Sequence, residues 1–329
     1  MATGTVGGVS ASEPMRIAAA AATTVVLWAS AFVVLRYGVQ SYGPGELSLL
    51  RMLVGTAALT VFVVRRGIRI PPRRTWAGIA AMGIAWFGAY NVALNAAERE
   101  IDAGTAAMLV NLAPLLVVLG AGLFLGEGFP RALLIGAPLS FAGVVLIALS
   151  SSSSHATLIG VLLAILAAVL YAGSTLIQKR LLGSVDGLTI TWLAAIAGTV
   201  VLLPWAPSLI AQITEAPAPA TWGVVYLGVF PTAIAFATWA YVLTRVSAGR
   251  TSMTSYAVPA ITIVLSWLFL AEAPSALTLV GGAMCLLGVG ISRVRPRRSE
   301  LTAVGEEVRG GSRDAGDGKH GGPRADLLR

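Results

Sequence analysis

Polar side chains that could bind a small molecule are concentrated in two otherwise apolar stretches. The first stretch carries them at i, i+1, i+5 and i+8, as Tyr90, Asn91, Asn95 and Glu98. In a helix this spacing forms one polar stripe. Amide groups are costly against lipid, so the stripe must face protein or a wet cavity. The spacing leaves both alternatives open, namely hydrogen bonds to neighbouring helices or contacts with a polar ligand.

The second stretch has hydroxyl groups that lead up to a proline, as Ser252, Ser255, Tyr256 and Pro259. Serines in apolar helices usually serve packing. However, Asn111 precedes Pro114 by three residues, just as Tyr256 precedes Pro259. This matched placement favours a shared cavity.

Pro114 and Pro259 should interrupt their helices. Each proline lacks a backbone donor, which leaves the carbonyl four residues earlier without its usual partner. A kink in mid-span could act as a hinge or offer a carbonyl to a ligand, or it could be a static bend that packs the helices. The symmetry of the two prolines does not separate these alternatives.

Arg51 is the charged residue whose placement is most informative. An arginine at the bilayer centre costs roughly 2.5 to 3.5 kcal/mol on insertion scales. It therefore either extends its charge to the membrane surface or meets a carboxylate of the protein or of a ligand. Glu46 lies five residues earlier, too far around a helix for an ideal ion pair. An anionic group on a ligand remains an alternative.

Aromatic and hydroxyl residues complete the candidate cavity. Trp28 and Tyr171 could stack on a ligand, although aromatic residues in helices more often serve packing. The cavity candidates are Trp28, Ser30, Arg51, Tyr90, Asn91, Asn95, Asn111, Tyr171, Ser174, Ser252, Ser255 and Tyr256, with Pro114 and Pro259 as candidate kinks.

The composition excludes several classes of protein. Of the 329 residues, 56% are apolar and only 12% are charged, and the mean hydropathy is +0.81, which is typical of a chain in lipid. One cysteine and two histidines, Cys285, His155 and His320, provide neither a disulfide nor a metal or catalytic cluster, so we expect no cofactor and no metal. The net charge of +8 comes from arginines that flank apolar runs, which argues against a nucleic-acid partner.

Ten apolar runs are long enough to suggest membrane-spanning helices. They lie near residues 17–36, 46–64, 76–97, 104–126, 132–149, 157–177, 188–205, 222–243, 250–271 and 276–293. The short connections make successive helices antiparallel neighbours. Residues 295–329 are polar and glycine-rich, which predicts a disordered tail.

Lys and Arg are distributed unevenly between alternate connections. With the N-terminus in the cytoplasm, two lie outside, Arg36 and Arg99, and fifteen lie inside, namely Arg16, Arg65, Arg66, Arg69, Arg73, Arg74, Arg131, Lys179, Arg180, Arg245, Arg250, Arg293, Arg295, Arg297 and Arg298. The positive-inside rule therefore predicts an integral plasma-membrane protein with both termini, including residues 1–16, in the cytoplasm. The acidic loop 98–102 would then face outward.

The two halves of the chain repeat each other. A shift of 145 pairs Gly83 with Gly228, Pro114 with Pro259 and the motif at 123–125 with that at 268–270. Nearer the start of each half, a shift of 143 pairs Leu27-Trp28-Ala29 with Leu170-Tyr171-Ala172. The expected units are residues 17–149 and residues 157–294.

Each unit has five predicted helices, an odd number, so the second unit must enter the membrane inverted. The arginine-rich loop 65–74 corresponds to residues 206–221, which contain neither Lys nor Arg. The sequence therefore predicts an all-α membrane protein of ten helices in two inverted five-helix repeats. Such repeats in secondary transporters hold the substrate near the bilayer midplane, where the units meet.

Several motifs in order resemble the EamA family of the drug/metabolite transporter superfamily. They are Trp28-Ala29-Ser30-Ala31-Phe32, Pro44 with Arg51, Pro114 followed by Leu125-Gly126-Glu127, and Pro259 followed by Leu270-Ala271-Glu272. The resemblance covers about residues 17–294. It implies a ten-helix inner-membrane carrier with a central cavity, often an exporter of amino acids or related metabolites. Ala194 aligns with Arg51, so any role of that arginine is not duplicated.

Glu127 and Glu272 end their helices at opposite membrane faces. We expect each to cap the following helix, where a carboxylate is favourable by up to about 1 kcal/mol. A gating ion pair, with Arg131 or with an outer-loop residue, is the alternative.

The expected function is export of a small polar metabolite, such as an amino acid or derivative, by alternating access. Broad efflux of drugs or toxic compounds is the alternative, favoured if Trp28, Tyr90, Tyr171 and Trp239 line the cavity. A membrane-embedded sensor or enzyme is a remote alternative for the function. The expected partners are a small-molecule substrate, the lipid bilayer and a second copy of the chain in a homodimer.

Overall fold

The computed structural model describes residues 12–126, 133–150, 155–272 and 274–291. Within these residues the regular structure is helical throughout, without strands. The helices are α1 Ser12–Gly38, α2 Pro44–Arg66, α3 Arg73–Glu100, α4 Ala103–Phe124, α5 Leu133–Ser150, α6 His155–Leu181, α7 Gly187–Glu215, α8 Ala218–Arg245, α9 Ala248–Leu270 and α10 Ala276–Ile291. Glu127, Arg131 and the predicted tail of residues 295–329 lie outside the described residues.

Eight of these helices are long and apolar enough to cross a bilayer, namely α1 to α4 and α6 to α9. The remaining two, α5 and α10, are apolar helices of 18 and 16 residues. Large apolar side chains such as Leu123, Trp222 and Phe269 are 66–73% exposed on the outside of the bundle. Such an apolar exterior is suited to lipid. The chain is therefore an all-helical, multi-pass membrane protein.

Two helix boundaries differ from the predicted ones by five residues or more. Helix α1 begins at Ser12, five residues before the predicted start at 17. Helix α7 continues to Glu215, where the sequence predicts a loop over 206–221. Ser208, Gln212 and Glu215 lie at i, i+4 and i+7 and give this continuation a polar face, so a search for continuous apolar runs does not detect it.

Equivalent helices of the two halves are interrupted at equivalent places. Helices α3 and α8 contain π-helical segments, Gly83–Tyr90 and Gly228–Ile234. Helix α4 is interrupted after Val110, and α9 passes through the 3-10 segment Thr254–Tyr256. Both of these interruptions lie just before the repeated prolines, where a backbone donor is missing.

Repeat-related residues contact each other where the halves meet. The hydroxyl oxygens of Thr56 and Thr199 are 2.9 Å apart. The rings of Trp28 and Tyr171 have centroids 5.9 Å apart. Contacts between equivalent positions arise when a twofold axis passes between them. The two halves are therefore related by a pseudo-twofold axis.

The direction of the helices follows from the order of the contacts between α5 and α10. A Cβ added to Gly143 would lie 2.4 Å from the carbonyl oxygen of Gly281, and one added to Gly288 would lie 2.4 Å from that of Gly136. The partner number falls as the residue number rises, so equivalent helices run antiparallel. These glycines permit close packing within one chain, which explains them without a dimer interface.

The ion pairs connect helix ends that the predicted topology places on the same side of the membrane. They are Arg36 with Glu272 on the outer side, at 3.0 Å, and Arg66 with Asp186 and Arg245 with Glu13 on the inner side, at 3.6 and 3.4 Å. The described contacts are thus compatible with the inverted arrangement.

Candidate substrate cavity

A cavity lies at the seam between the two halves. Its unfilled space, including the part open to solvent, is about 530 Å³. It is lined by Trp28, Ala31, Phe32, Leu35, Arg51, Trp86, Tyr90, Leu94, Val110, Asn111, Tyr171, Phe236, Ser255 and Val258. These residues come from α1 to α4 of the first half and from α6, α8 and α9 of the second, so neither half forms the cavity alone.

Aromatic rings form most of one wall. Trp86 stacks on Tyr171, with ring centroids 5.3 Å apart, and meets Phe236 edge-on at 4.9 Å. The Trp28 ring also contacts those of Tyr171 and Trp239, with centroid distances of 5.9 and 5.0 Å. Such ring pairs contribute about 0.5 to 1.5 kcal/mol each beyond the burial of their area. The wall is therefore rigid and apolar, which suits an aliphatic or aromatic group of a ligand.

Arg51 brings a positive charge into this apolar wall. Its side chain is only 4% exposed, and its Nε donates to the Thr232 hydroxyl over 2.9 Å. The Thr232 hydroxyl in turn donates to the Leu227 carbonyl over 2.9 Å, which fixes its orientation. In the part of the chain that the structure describes, Arg51 forms no ion pair. The arginine does not extend to the membrane surface, and its outer nitrogens remain available for an anion.

Neutral polar groups lie where α4 and α9 are interrupted. Asn111 donates to the Ala107 carbonyl over 3.0 Å and accepts from the Ser255 hydroxyl over 3.3 Å. Tyr90 lines the cavity beside them, with its ring centroid 6.5 Å from that of Tyr171. The cavity thus combines one cation, three neutral polar side chains and an apolar wall.

Six of the twelve predicted residues line the cavity, namely Trp28, Arg51, Tyr90, Asn111, Tyr171 and Ser255. The other six lie elsewhere in the bundle, namely Ser30, Asn91, Asn95, Ser174, Ser252 and Tyr256. Asn95 donates to the Ser48 hydroxyl over 2.8 Å, and Ser30 bonds to the Tyr226 hydroxyl over 2.7 Å. These groups connect helices, which is the alternative to a ligand contact.

The sequence did not point to Trp86, Phe236 or Thr232. Trp86 and Thr232 lie in the two π-helical segments, where the side-chain direction departs from the regular helical period. The paired glycines that begin these segments, Gly83 and Gly228, were the available indication. Each glycine allows close approach to the opposite half.

Glu272 does not cap the following helix. Its carboxylate accepts from Arg36 Nε over 3.0 and 3.3 Å. Ser275 caps α10 instead, since its hydroxyl accepts from the Thr278 amide over 3.1 Å. The capping role expected of Glu272 is therefore wrong, and an ion pair between helix ends replaces it.

Glu98 is also placed differently from the expectation. The sequence assigns it to an outward-facing acidic loop, but its side chain is 0% exposed in the last turns of α3. Asp102 has a structural role nearby, because its carboxylate caps α4 by accepting from the Thr105 amide over 2.8 Å.

Comparison with known proteins decides the family. The EamA-like transporter family matches residues 15–149 and again residues 158–294, so each half matches separately. The chain belongs to the EamA-like transporter family. The predicted resemblance is confirmed, and the chain is a membrane transporter and not an enzyme.

Relatives of this EamA-like transporter cover most of its length. A protein of Streptantibioticus cattleyicolor, named "Probable terminal-alkyne amino-acid exporter", is 38% identical over 86% of this chain and 95% of its own. The "Uncharacterized transporter YdfC" of Bacillus subtilis is 33% identical over 80% of this chain and 86% of its own. One solved crystal structure has the same fold, with a TM-score of 0.60 and 22% identity over 84% of this chain and 97% of its own.

Proposed function

We propose that this transporter exports an amino acid or amino-acid derivative with an apolar side chain, by alternating access. The observation that carries the proposal is Arg51, a cation that forms no ion pair among the described residues and lies in the wall of an aromatic cavity. A buried guanidinium needs a counter-charge. The carboxylate of a substrate would supply it, in the two-pronged geometry that arginine favours.

The remaining lining groups suit the other parts of such a substrate. Tyr90, Asn111 and Ser255 offer oxygen atoms that could accept from an ammonium group. Trp28, Trp86 and Tyr171 would contact the apolar side chain. The name of the relative from Streptantibioticus cattleyicolor supports the same class, since a terminal alkyne is a compact apolar group.

We further propose that α5 and α10 cross the membrane together with the eight longer helices, with both termini in the cytoplasm of the cell. The two helices pack closely on each other through glycines, and their outer side chains are apolar. The bias of fifteen Lys and Arg against two supports the orientation. The plasma membrane is then the site of export.

Transport by purified protein tests the proposed substrate class. Proteoliposomes would be loaded with labelled L-propargylglycine, an amino acid that ends in a terminal alkyne. The wild-type chain should release it faster than empty vesicles. Arg51→Ala should lower the rate tenfold or more, because a charged hydrogen bond contributes roughly 1.5 to 3 kcal/mol. Arg51→Lys should restore only part of the wild-type transport rate, because lysine keeps the charge but lacks the planar guanidinium group.

The matched control is Arg65→Ala, which removes an exposed arginine from the end of the same helix. It should transport like the wild type. Equal rates for Arg51→Ala and Arg65→Ala would remove the basis of the proposal.

Broad-specificity efflux is the second candidate. The aromatic lining favours it, since Trp28, Tyr90 and Tyr171 all line the cavity, although Trp239 contacts Trp28 without lining the cavity itself. Resistance profiling of an overexpressing strain separates the two candidates. A specific exporter should not protect against unrelated cationic dyes, whereas protection against several of them would favour broad efflux.

A further inference from the structure

The carboxylate of Glu98 is buried with no hydrogen-bond partner. Its side chain is 0% exposed, and neither Oε1 nor Oε2 receives a donor from any described residue. An ionised carboxylate without donors is very unfavourable in such a site, where a neutral carboxylic acid is far less costly. Intramembrane acidic groups in transporters commonly mark ion or proton sites.

The second half of the chain shows that this position does not need a carboxylate for folding. Glu98 corresponds to Leu243 at the shift of 145, and Leu243 is also 0% exposed. The backbone surroundings are matched as well. Arg36 donates to the Glu98 carbonyl, and its counterpart Lys179 donates to the Leu243 carbonyl over 2.8 Å. The first half therefore carries an acidic group in a place that its counterpart fills with an apolar side chain.

Charges surround Glu98 from several helices. Two cations act on it, Arg36 from α1 and Arg51 from α2. Two carboxylates act on it as well, Glu272 just after the end of α9 and Asp102 just before the start of α4. Tyr90 on α3 itself interacts with both Arg51 and Glu98. Removing the proton from Glu98 would therefore alter the field at Arg51, the proposed anchor for the substrate carboxylate.

Two further buried hydrogen-bond acceptors lie near Glu98 on α3, the side-chain oxygens of Asn95 and Asn91. Asn95 and Asn91 lie on the same side of the helix, at one and two turns toward its start. Their side-chain oxygens also lack donors among the described residues, although their amide nitrogens are bonded. These oxygens could accept from a protonated Glu98 or from entering water molecules.

We propose that Glu98 is a proton-binding site of this transporter, occupied by a proton in the conformation described, and that the release of this proton is coupled to transport. The carboxylate takes up one proton to become a carboxylic acid and returns it to water when the bundle opens. For export, the proton enters the cell as the substrate leaves. The coupling, but not the proton site, depends on the proposed function.

Infrared spectroscopy of the purified protein tests the proton site without any substrate. The wild type at neutral pH should show the C=O stretch of a protonated carboxyl group. Glu98→Gln should lack it, and Glu100→Gln, which changes an exposed neighbour, should retain it. Glu98→Leu introduces the residue found at the equivalent position 243, and it serves as the comparison if Glu98→Gln does not fold. Absence of the band in the wild type, or its persistence without Glu98, would overturn the proposal.

Transport of L-propargylglycine under an imposed pH gradient tests the coupling. With one proton per substrate, a gradient of one pH unit supports an accumulation of up to about tenfold. Glu98→Gln should lose this accumulation while it still exchanges labelled for unlabelled substrate. Full accumulation by Glu98→Gln would refute coupling through this residue. If the wild type does not move L-propargylglycine at all, the proposed function fails, whereas the infrared result still decides the proton site.

Discussion

Ser140 and Cys285 bond to each other's backbone across the seam between α5 and α10. The Ser140 hydroxyl donates to the Cys285 carbonyl over 3.0 Å, and the Cys285 thiol donates to the Ser140 carbonyl over 3.2 Å. The two positions are 145 residues apart, the same shift that aligns the two halves. Like the contact between Thr56 and Thr199, this reciprocal pair joins equivalent positions of the two halves, as a pseudo-twofold relation requires.

The seam between α5 and α10 should be sensitive to one added methyl group. Gly143→Ala would place a Cβ 2.4 Å from the Gly281 carbonyl oxygen, so the backbones must separate. Overpacking of this kind costs about 1 to 3 kcal/mol. We expect a lower melting temperature in a detergent thermal-shift assay.

Gly173→Ala is the control for this change. Gly173 is exposed on α6, and an added Cβ would meet nothing within 4 Å. Alanine there should be neutral or slightly stabilising, because it favours helix by roughly 1 kcal/mol relative to glycine. Equal melting temperatures for the two variants would show that the seam is looser than described.

Much of the fold can be predicted from the sequence because its determinants are local or repeated. Apolar runs bounded by Arg, Gly and Pro predict where the helices lie. The shift of 145 predicts which helices of the two halves are equivalent. Helix α7 shows the limit of this approach. Polar residues such as Ser208 and Gln212 interrupt its last turns, so a search for continuous apolar runs overlooks them.

The site could be predicted only in part, because spacing gives a stripe on a helix but not the neighbour it faces. Tyr90 ends the π-helical segment of α3 and lines the cavity, whereas Asn91 and Asn95 face α2. Glu98 was assigned to a loop because it begins a charged run, yet it is buried on α3, a helix that packs against α6 and α1. These placements depend on packing between distant segments.

Thr232 should orient Arg51 for the substrate carboxylate. Thr232→Val removes the hydroxyl that accepts from Arg51 Nε over 2.9 Å and keeps the side-chain volume. The guanidinium should become less well oriented, with a loss in affinity of about tenfold or more, as for a hydrogen bond to a charged group. KM for L-propargylglycine should rise accordingly.

Thr244→Val is the comparison for this variant, because Thr244 is an exposed threonine on the same helix. It should leave KM unchanged. A KM for Thr232→Val that matches this control would mean that Thr232 does not position Arg51 for binding.

Trp86 should limit the size of the substrate side chain. Its ring stacks on Tyr171 at 5.3 Å and meets Phe236 at 4.9 Å, so it occupies the centre of the aromatic wall. Trp86→Phe would enlarge the cavity while keeping the wall apolar. Competition assays should show weaker binding of small apolar amino acids and stronger binding of L-phenylalanine. An unchanged order of competitors would contradict a role of Trp86 in selectivity.

In the proposed topology, two similar halves lie inverted in the membrane and enclose the cavity that contains Arg51. Single cysteines at Ile70→Cys and Ile213→Cys, labelled with a membrane-impermeant thiol reagent on intact cells, test it most directly. Both positions are exposed, whereas the native Cys285 is 1% exposed and should not react. The inverted arrangement predicts labelling at 213 from outside and at 70 only after the cells are opened. Labelling of both positions from the same side would contradict it.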